Sequence, residues 1–140
     1  MKKLIFSTLC AVTLCTTTSN FCDVDFSQYG LYFGRLNHLK SATTFDVAKQ
    51  QADYVVFKFS ANWCGPCQQL TPIMQQLATD FPNVLFVEIE IANFPELKSN
   101  NKIKRIPTVI LYKNGQQVHR STGAQTKTYW TDVIQNSFDL

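Results

Sequence analysis

The chain has 140 residues, of which 45% are hydrophobic and 16% charged, and its formal net charge is +3. This length fits one domain, and this composition is ordinary for a globular protein that buries a core. Two of the excess positive charges, Lys2 and Lys3, lie in the first twenty residues, so the remaining charge of +3 − 2 = +1 gives no indication of a nucleic-acid partner.

Residues 1–20 predict an export signal peptide. Lys2 and Lys3 precede an apolar stretch, residues 4–15, and polar residues 16–20 follow with small side chains that a signal peptidase accepts. As a helix, the apolar stretch would span roughly 18 Å, which is short of the roughly 30 Å core of a bilayer.

We therefore expect signal cleavage, an exported protein and no stable membrane insertion of the mature chain. A bacterial periplasm is the expected compartment, with a secretory lumen or the extracellular space as the alternative. An uncleaved anchor and a lipoprotein signal are further alternatives. Lipid attachment is disfavoured because a bulky residue precedes each of Cys10, Cys15 and Cys22.

Residues 21–34 have no sustained hydrophobic period and predict a flexible lead-in, followed by a single domain at 35–140. Within that domain, β-branched and aromatic runs alternate with stretches of helical spacing. The predicted strands are residues 35–39, 54–59, 84–91, 108–112 and 117–122. The predicted helices are residues 43–51, 65–81, 93–100 and 126–138.

The order of these elements predicts an α/β fold in which helices flank both faces of a central mixed β-sheet. The last two strands form an antiparallel hairpin, because Asn114-Gly115 between them suits a type I′ turn. Pro72 would kink the second predicted helix rather than end it, since the apolar period continues beyond it.

The cysteines that remain after signal cleavage are Cys22, Cys64 and Cys67. They are too few for a disulfide framework, and they form half of a zinc site at best, because a second ligand pair is missing. No metal is therefore expected. Cys22 is interpreted as an incidental thiol in the lead-in.

Cys64 and Cys67 lie where a predicted strand passes into the next helix. Unpaired amides and the helix dipole at this junction would stabilise a Cys64 thiolate. The two-residue spacing brings the sulfur atoms within bonding range, Gly65 permits the close approach of another backbone, and Pro66 occupies a first-turn position that loses no hydrogen bond. Disulfide exchange needs one attacking thiolate and one resolving thiol, so we expect Cys64 and Cys67 to take these roles.

Residues 63–67 read WCGPC, and from about residue 35 to residue 138 the chain resembles the thioredoxin family. Ile106 and Pro107 are similar to the family's cis-proline loop, which packs against the active-site disulfide and offers backbone groups to substrate. Gly123 matches a glycine of the family's substrate-binding surface, and Trp63 matches the ring beside its active site.

The resemblance implies a thioredoxin fold and protein-disulfide reductase activity. It implies that the redox-active Cys64–Cys67 disulfide is sufficient and that no further cofactor is needed. It also implies disulfide-containing proteins as substrates and an upstream thiol as the electron donor. We also expect a monomer.

One position departs from the family pattern. Six residues before the first cysteine, where thioredoxins carry a buried acid, this chain has Lys58, and Glu88 stands where the family usually places a lysine on the neighbouring strand. Because an unpaired buried charge costs several kcal/mol, the exchange predicts an ion pair beneath Cys67. An ammonium cannot accept the proton that the family's acid is thought to relay, so we expect Glu88 to accept it. The alternative is that Lys58 reaches solvent and Glu88 is a surface residue.

A small basic run precedes the expected cis-proline loop. Its members are Lys98, Lys102, Lys104 and Arg105. The run is interpreted as a solvated face, although Arg105 lies beside the expected substrate groove, where it would favour acidic partners or stabilise the thiolate.

Gly65-Pro66 and Ile106 resemble the reducing branch of the family, so a disulfide reductase working outside the cytoplasm is the preferred function. An oxidising compartment would favour an alternative, a disulfide oxidase or isomerase. A third possibility is a thioredoxin-fold binding subunit with incidental redox activity. A partner-specific reductase, for instance in cytochrome c maturation, is disfavoured because the chain lacks the insertion common in that branch.

Overall fold

The computed structural model describes residues 25–140, so the predicted export signal and Cys22 lie outside the described residues. All nine predicted elements form, and their ends differ from the predicted ones by at most two residues. The strands are β1 (Leu36–His38), β2 (Tyr54–Ser60), β3 (Leu85–Glu90), β4 (Thr108–Lys113) and β5 (Gln116–Thr122). The α-helices are α1 (Ala42–Gln51), α2 (Gly65–Asp80), α3 (Pro95–Asn100) and α4 (Lys127–Phe138).

The five strands form one mixed sheet in the order β1-β3-β2-β4-β5. β3 pairs in parallel with both β1 and β2, whereas β4 pairs antiparallel with β2 and β5. The predicted hairpin turn is confirmed, since Asn114 and Gly115 both have positive φ angles, +50° and +78°, as a type I′ turn requires.

Both faces of the sheet are covered, as predicted. Successive side chains of a strand point to opposite faces. Val55, Phe57 and Phe59 accordingly join the core cluster that contains α1 and α3 residues, while Val56 joins the cluster that contains residues of α2 and α4. Lys58 shares the parity of Val56, so its side chain is directed towards the face that α2 covers.

The sequence accounts for both the start and the length of α2. Cys64 is the N-cap and Pro66 lies in the first turn, where its missing amide is not needed. The helix continues past Pro72, as predicted, because apolar residues on one face hold it against the sheet. Those buried residues are Leu70, Met74, Leu77 and Ala78.

The described part of the predicted lead-in is ordered, which differs from the expectation. Phe26–Tyr29 form a 3-10 helix that begins where the Asp25 side chain accepts the amide of Ser27 and ends at Gly30, whose φ is +69°. Leu31 is 1% exposed and belongs to the core cluster beneath α1. One helical turn and one buried leucine produce no repeating hydrophobic period, which is why the sequence pattern did not reveal them.

Asn37 of β1 attaches this segment to the sheet. Its amide oxygen accepts the Tyr32 amide at 2.9 Å, and its amide nitrogen donates to the carbonyl oxygens of Tyr32 and Phe86 at 2.8 and 2.9 Å. The side chain is only 3% exposed, so these bonds satisfy a polar group that would otherwise be costly to bury.

None of the helices in residues 25–140 combines the length and the apolar character needed to cross a membrane.

Candidate active site

Cys64 and Cys67 form a disulfide at the start of α2, with their Cα atoms 5.2 Å apart. The Sγ atom of Cys64 accepts the backbone amide of Cys67 at 3.3 Å, which directs an N–H dipole at this sulfur. Cys64 is 6% exposed and Cys67 is 1% exposed. Of the two sulfur-bearing residues, Cys64 is therefore the more accessible, and it lies at the end of the helix that favours negative charge.

The residues beside and between the cysteines face open space. Trp63 is 76% exposed, and Gly65 and Pro66 are also exposed. A Cβ atom built on Gly65 would meet no other atom within 4 Å. A partner chain can therefore approach the backbone here without displacing any part of the protein.

The cis-proline loop lies at the same end of the sheet. The Ile106–Pro107 peptide is cis, as the sequence predicted. Thr108, which follows it, pairs with Phe59 near the end of β2, the strand that leads into the first active-site cysteine. Ile106 packs against the core cluster that includes both cysteines.

Gly123 joins this loop through the backbone. Its amide donates to the Pro107 carbonyl oxygen at 2.8 Å, and its φ angle of +97° favours glycine. Since Thr108 pairs with Thr122 in the sheet register, Gly123 lies directly after the strand that neighbours the loop. The structure thus brings together the three residues that the sequence assigned to substrate binding.

Lys58 and Glu88 form an ion pair inside the protein. They are directly paired in the β2–β3 register and point to the same face of the sheet. The Lys58 Nζ atom donates to a Glu88 carboxylate oxygen. Lys58 is 0% and Glu88 9% exposed, so the predicted pair is confirmed and the alternative, in which Lys58 reaches solvent, is wrong.

Thr71 of α2, which was not predicted as a site residue, connects this pair to the active site. Lys58 also donates to the Thr71 hydroxyl, whose single hydrogen is shared between the Cys67 carbonyl oxygen at 3.1 Å and the Glu88 carboxylate at 3.3 Å. The available signal was spacing: a residue four positions after Cys67 lies on the same helix face, which is the face that covers Lys58.

A polar cleft of about 390 Å³ leads from solvent to Glu88. Its lining includes Asn62, Gln68 and Thr71, so it opens beside the first turns of α2. The second carboxylate oxygen of Glu88 lies 3.6 Å from Nδ1 of His38, whose side chain is 75% exposed. Water can therefore reach the carboxylate of the pair, whereas the ammonium is sealed beneath the helix.

Burial lowers the pKa of Lys58 from its ordinary value of 10.5, and the hydrogen bond and charge of Glu88 oppose that change in part. Within residues 25–140, no group of three or more His, Cys, Asp or Glu side chains is placed to hold a metal ion.

The family model for thioredoxin matches residues 37–136. Thioredoxin-1 of Saccharomyces cerevisiae is 32% identical over 102 residues, which cover 73% of this chain and 99% of the relative. The chain belongs to the thioredoxin family. Thioredoxin of Chlamydia trachomatis is 40% identical over 73 residues, or 52% of this chain and 72% of the relative.

Solved thioredoxin structures share the fold. A mutant thioredoxin from Halobacterium salinarum NRC-1 superposes with a TM-score of 0.72 at 28% identity, covering 78% of this chain and 96% of that one. Oxidised mitochondrial thioredoxin 3 from Saccharomyces cerevisiae has a TM-score of 0.67 at 30% identity, with 72% and 94% covered.

Family membership and the Cys64–Cys67 pair make this protein a thiol–disulfide oxidoreductase that reduces disulfides in substrate proteins. The expected thioredoxin fold and activity are confirmed. The cysteine pair is itself the redox centre, and it is reduced in turn by a thiol donor.

We expect Lys58 to make the free energy of unfolding rise with pH on the alkaline side. Because burial lowers the Lys58 pKa in the folded state, the unfolded chain binds more protons between that pKa and 10.5. The contribution of this group therefore increases through that window, by up to about 1.4 kcal/mol for each pH unit between the two pKa values. Urea unfolding of the oxidised protein from about pH 8 upwards measures it.

The matched control is the double variant Lys58→Met with Glu88→Leu, which removes both charges. It keeps Tyr112 and Lys113. Burial raises the pKa of Tyr112, and the hydrogen bond with Asp139 raises the pKa of Lys113. The contributions of these two groups to the free energy of unfolding therefore fall with rising pH. Subtracting the two unfolding curves isolates Lys58. A difference that stays flat or declines with pH would contradict a lowered Lys58 pKa.

Proposed function

We propose that Cys64 attacks the substrate disulfide and that Cys67 resolves the mixed disulfide, in an exported thioredoxin. The observation that carries the order of attack is the position of Cys64. Its sulfur accepts an N–H group at the α2 N-terminus, and it is the more exposed of the two cysteines. Both properties favour an accessible thiolate.

The chemistry balances in two steps. The Cys64 thiolate bonds to one sulfur of the substrate disulfide, and the other substrate sulfur leaves as a thiolate that takes up a proton. The Cys67 sulfur, deprotonated, then attacks the Cys64 sulfur, which re-forms the Cys64–Cys67 disulfide and releases the second substrate thiol. Two electrons pass to the substrate, and an upstream thiol restores the pair.

We assign substrate positioning to the cis Ile106–Pro107 loop, Gly123 and Trp63. The loop and Gly123 are hydrogen-bonded to each other at the end of the sheet from which Cys64 emerges. Trp63 projects from the same end and is largely exposed. A substrate segment laid over these residues brings its disulfide to Cys64 without entering the protein interior.

Serine variants test the order of attack with a disulfide-bonded protein substrate and dithiothreitol as the electron source. Cys64→Ser should abolish turnover, because the remaining active-site cysteine, Cys67, is only 1% exposed. Cys67→Ser should instead accumulate a mixed disulfide through Cys64, identified by peptide mass analysis. Cys22→Ser is the matched control and should retain turnover. Retained activity in Cys64→Ser, or substrate trapped on Cys22, would refute the assignment.

We assign Lys58 and Glu88 to the resolving step. Thr71 links the pair to the Cys67 backbone, so the Lys58 charge lies under the helix turn that holds the resolving cysteine. A positive charge here favours the Cys67 thiolate. Glu88, which borders the polar cleft, accepts the Cys67 proton directly or through water.

Lys58→Met should leave the buried Glu88 carboxylate without its ion-pair partner and lower the free energy of unfolding by roughly 3–5 kcal/mol. It should also slow resolution of the mixed disulfide more than its formation, because the attack by Cys64 depends on the helix terminus. Stopped-flow measurement separates the two rates. The charge-exchanged variant Lys58→Asp with Glu88→Lys should recover much of the stability and of the rate of resolution.

A double-mutant cycle on Lys58→Met and Glu88→Gln tests whether the two residues interact. The pair interacts if the two unfolding penalties fail to add. Additivity within about 0.5 kcal/mol would mean that the two residues do not interact. Equal slowing of both redox steps would mean that the pair has no part in resolution.

Export is inferred from the sequence, since residues 1–20 have the charge, the length of apolar stretch and the small residues of a cleaved signal. Expressed with its own N-terminus in a bacterial host, the protein should be recovered from the periplasm with its mass reduced by cleavage near residues 19–22. A version with Lys2 and Lys3 replaced by Glu should be exported less efficiently. Recovery of soluble cytosolic protein that retains Met1 would refute this compartment.

A further inference from the structure

We propose that a basic cleft beside the active site binds acidic residues that flank the disulfide of a substrate protein. The cleft encloses about 560 Å³. We define it by the six residues that line it, Lys102, Lys104, Arg105, Thr108, Arg120 and Thr122. The inference deepens the proposed reductase function and rests on it.

The charge of the cleft is one-sided. Four of its six lining residues are cations and two carry hydroxyl groups, while none is acidic. Within residues 25–140, the ion pairs engage other side chains and leave these four cations without a carboxylate partner. Their positive charge is therefore available to an incoming anion.

Hydrogen bonds hold the backbone that surrounds the cleft. The Arg120 guanidinium donates to the carbonyl oxygens of Asn101 and Lys102 at 2.9 and 3.0 Å. Lys102 has a φ of +52°, which is uncommon for a non-glycine residue. The Thr108 hydroxyl donates to the Arg105 carbonyl oxygen at 2.6 Å. These bonds fix the backbone on both sides of the cleft.

The sheet register places the cleft at the end of the sheet from which Cys64 emerges. Thr108 is paired with Phe59 on one side and with Thr122 on the other, and neighbouring strands lie about 4.8 Å apart. Residues 105–107 and 122–123 therefore lie at the sheet end from which Cys64 emerges. A substrate chain that extends from Cys64 across the β4–β5 side of this sheet end meets these cations.

The opposite side of the same sheet end carries the opposite charge. β3 lies on the other side of β2, and its Glu88 and Glu90 border the polar cleft. An acidic residue of the substrate is thus attracted on the β4–β5 side and repelled by Glu90 on the β3 side, whereas the charge of Glu88 is paired with Lys58.

Matched disulfide peptides test the inference. Three peptides differ only in whether Glu, Gln or Lys flanks both sides of the cysteine, and stopped flow gives the second-order rate constant for oxidation of the reduced protein. Each rate constant is divided by the rate constant for reduction of the same peptide by a small neutral dithiol. This division removes the intrinsic effect of flanking charge on the reactivity of the disulfide. We expect the normalised rate constants to fall in the order Glu, Gln, Lys and to converge as ionic strength rises from about 0.02 M to about 0.5 M.

The test variant is Lys104→Gln with Arg105→Gln, which leaves the backbone bonds of Arg120 in place. An exposed ion pair alters binding by a factor of about 1.4 to 5, so loss of two cations should reduce the Glu-to-Gln ratio about twofold or more. The control variant is Lys49→Gln with Lys113→Gln. It removes the same charge at the opposite end of β2, where Tyr54 pairs with Lys113, and should retain the ratio.

Three results would overturn the inference while the reductase function stands. They are a normalised Glu-to-Gln ratio of one at low salt, an equal loss of the ratio in both variants, and strong inhibition by an oligonucleotide or polyphosphate without any advantage of the Glu peptide. The last would mark the cleft as a phosphate site. If the protein reduced none of the three peptides, the reductase function would be refuted, and this inference with it.

Discussion

The register of β2 between β3 and β4 is the constraint on which the active site depends. Pairing Lys58 with Glu88 places the two charges on one face, and pairing Phe59 with Thr108 brings the cis-proline loop to the strand end that leads into Cys64. A shift of one residue would turn Lys58 to the opposite, aromatic face and separate it from Glu88. Every residue of β2 after Tyr54 is buried, which makes such a shift costly, because nearly every side chain of the strand has a fitted place.

A buried ion pair is an expensive way to fill space beneath a helix. Desolvating two charges costs several kcal/mol, and replacement by apolar groups of similar volume is often neutral or stabilising. Lys58 and Glu88 recover part of that cost through their mutual bond and through Thr71, which satisfies a further donor direction of the ammonium. Stability alone therefore does not account for the pair, and its connection to Cys67 through Thr71 is the feature that an apolar replacement would lack.

Local patterns in the sequence were sufficient for most of the fold. Strand and helix periods predicted all nine elements, and the WCGPC motif with Ile106–Pro107 predicted the redox pair and the cis peptide. Features that depend on distant residues were not accessible in this way. Thr71 gains its role only once α2 covers Lys58, and Arg120 joins the basic run near Arg105 only because β5 pairs with β4.

The exchange of charge between positions 58 and 88 has a geometrical consequence. It preserves the number of buried charges and their pairing, so the core tolerates it, but it moves the carboxylate from the fully buried central strand to β3. There Glu88 borders a polar cleft and the exposed ring of His38, whereas Lys58 has no opening to solvent. A proton accepted by Glu88 can leave towards water on the β1–β3 side. The cations around Arg105 occupy the β4–β5 side. The two proposals therefore assign the exit of a proton and the approach of an acidic substrate to opposite sides of Cys64.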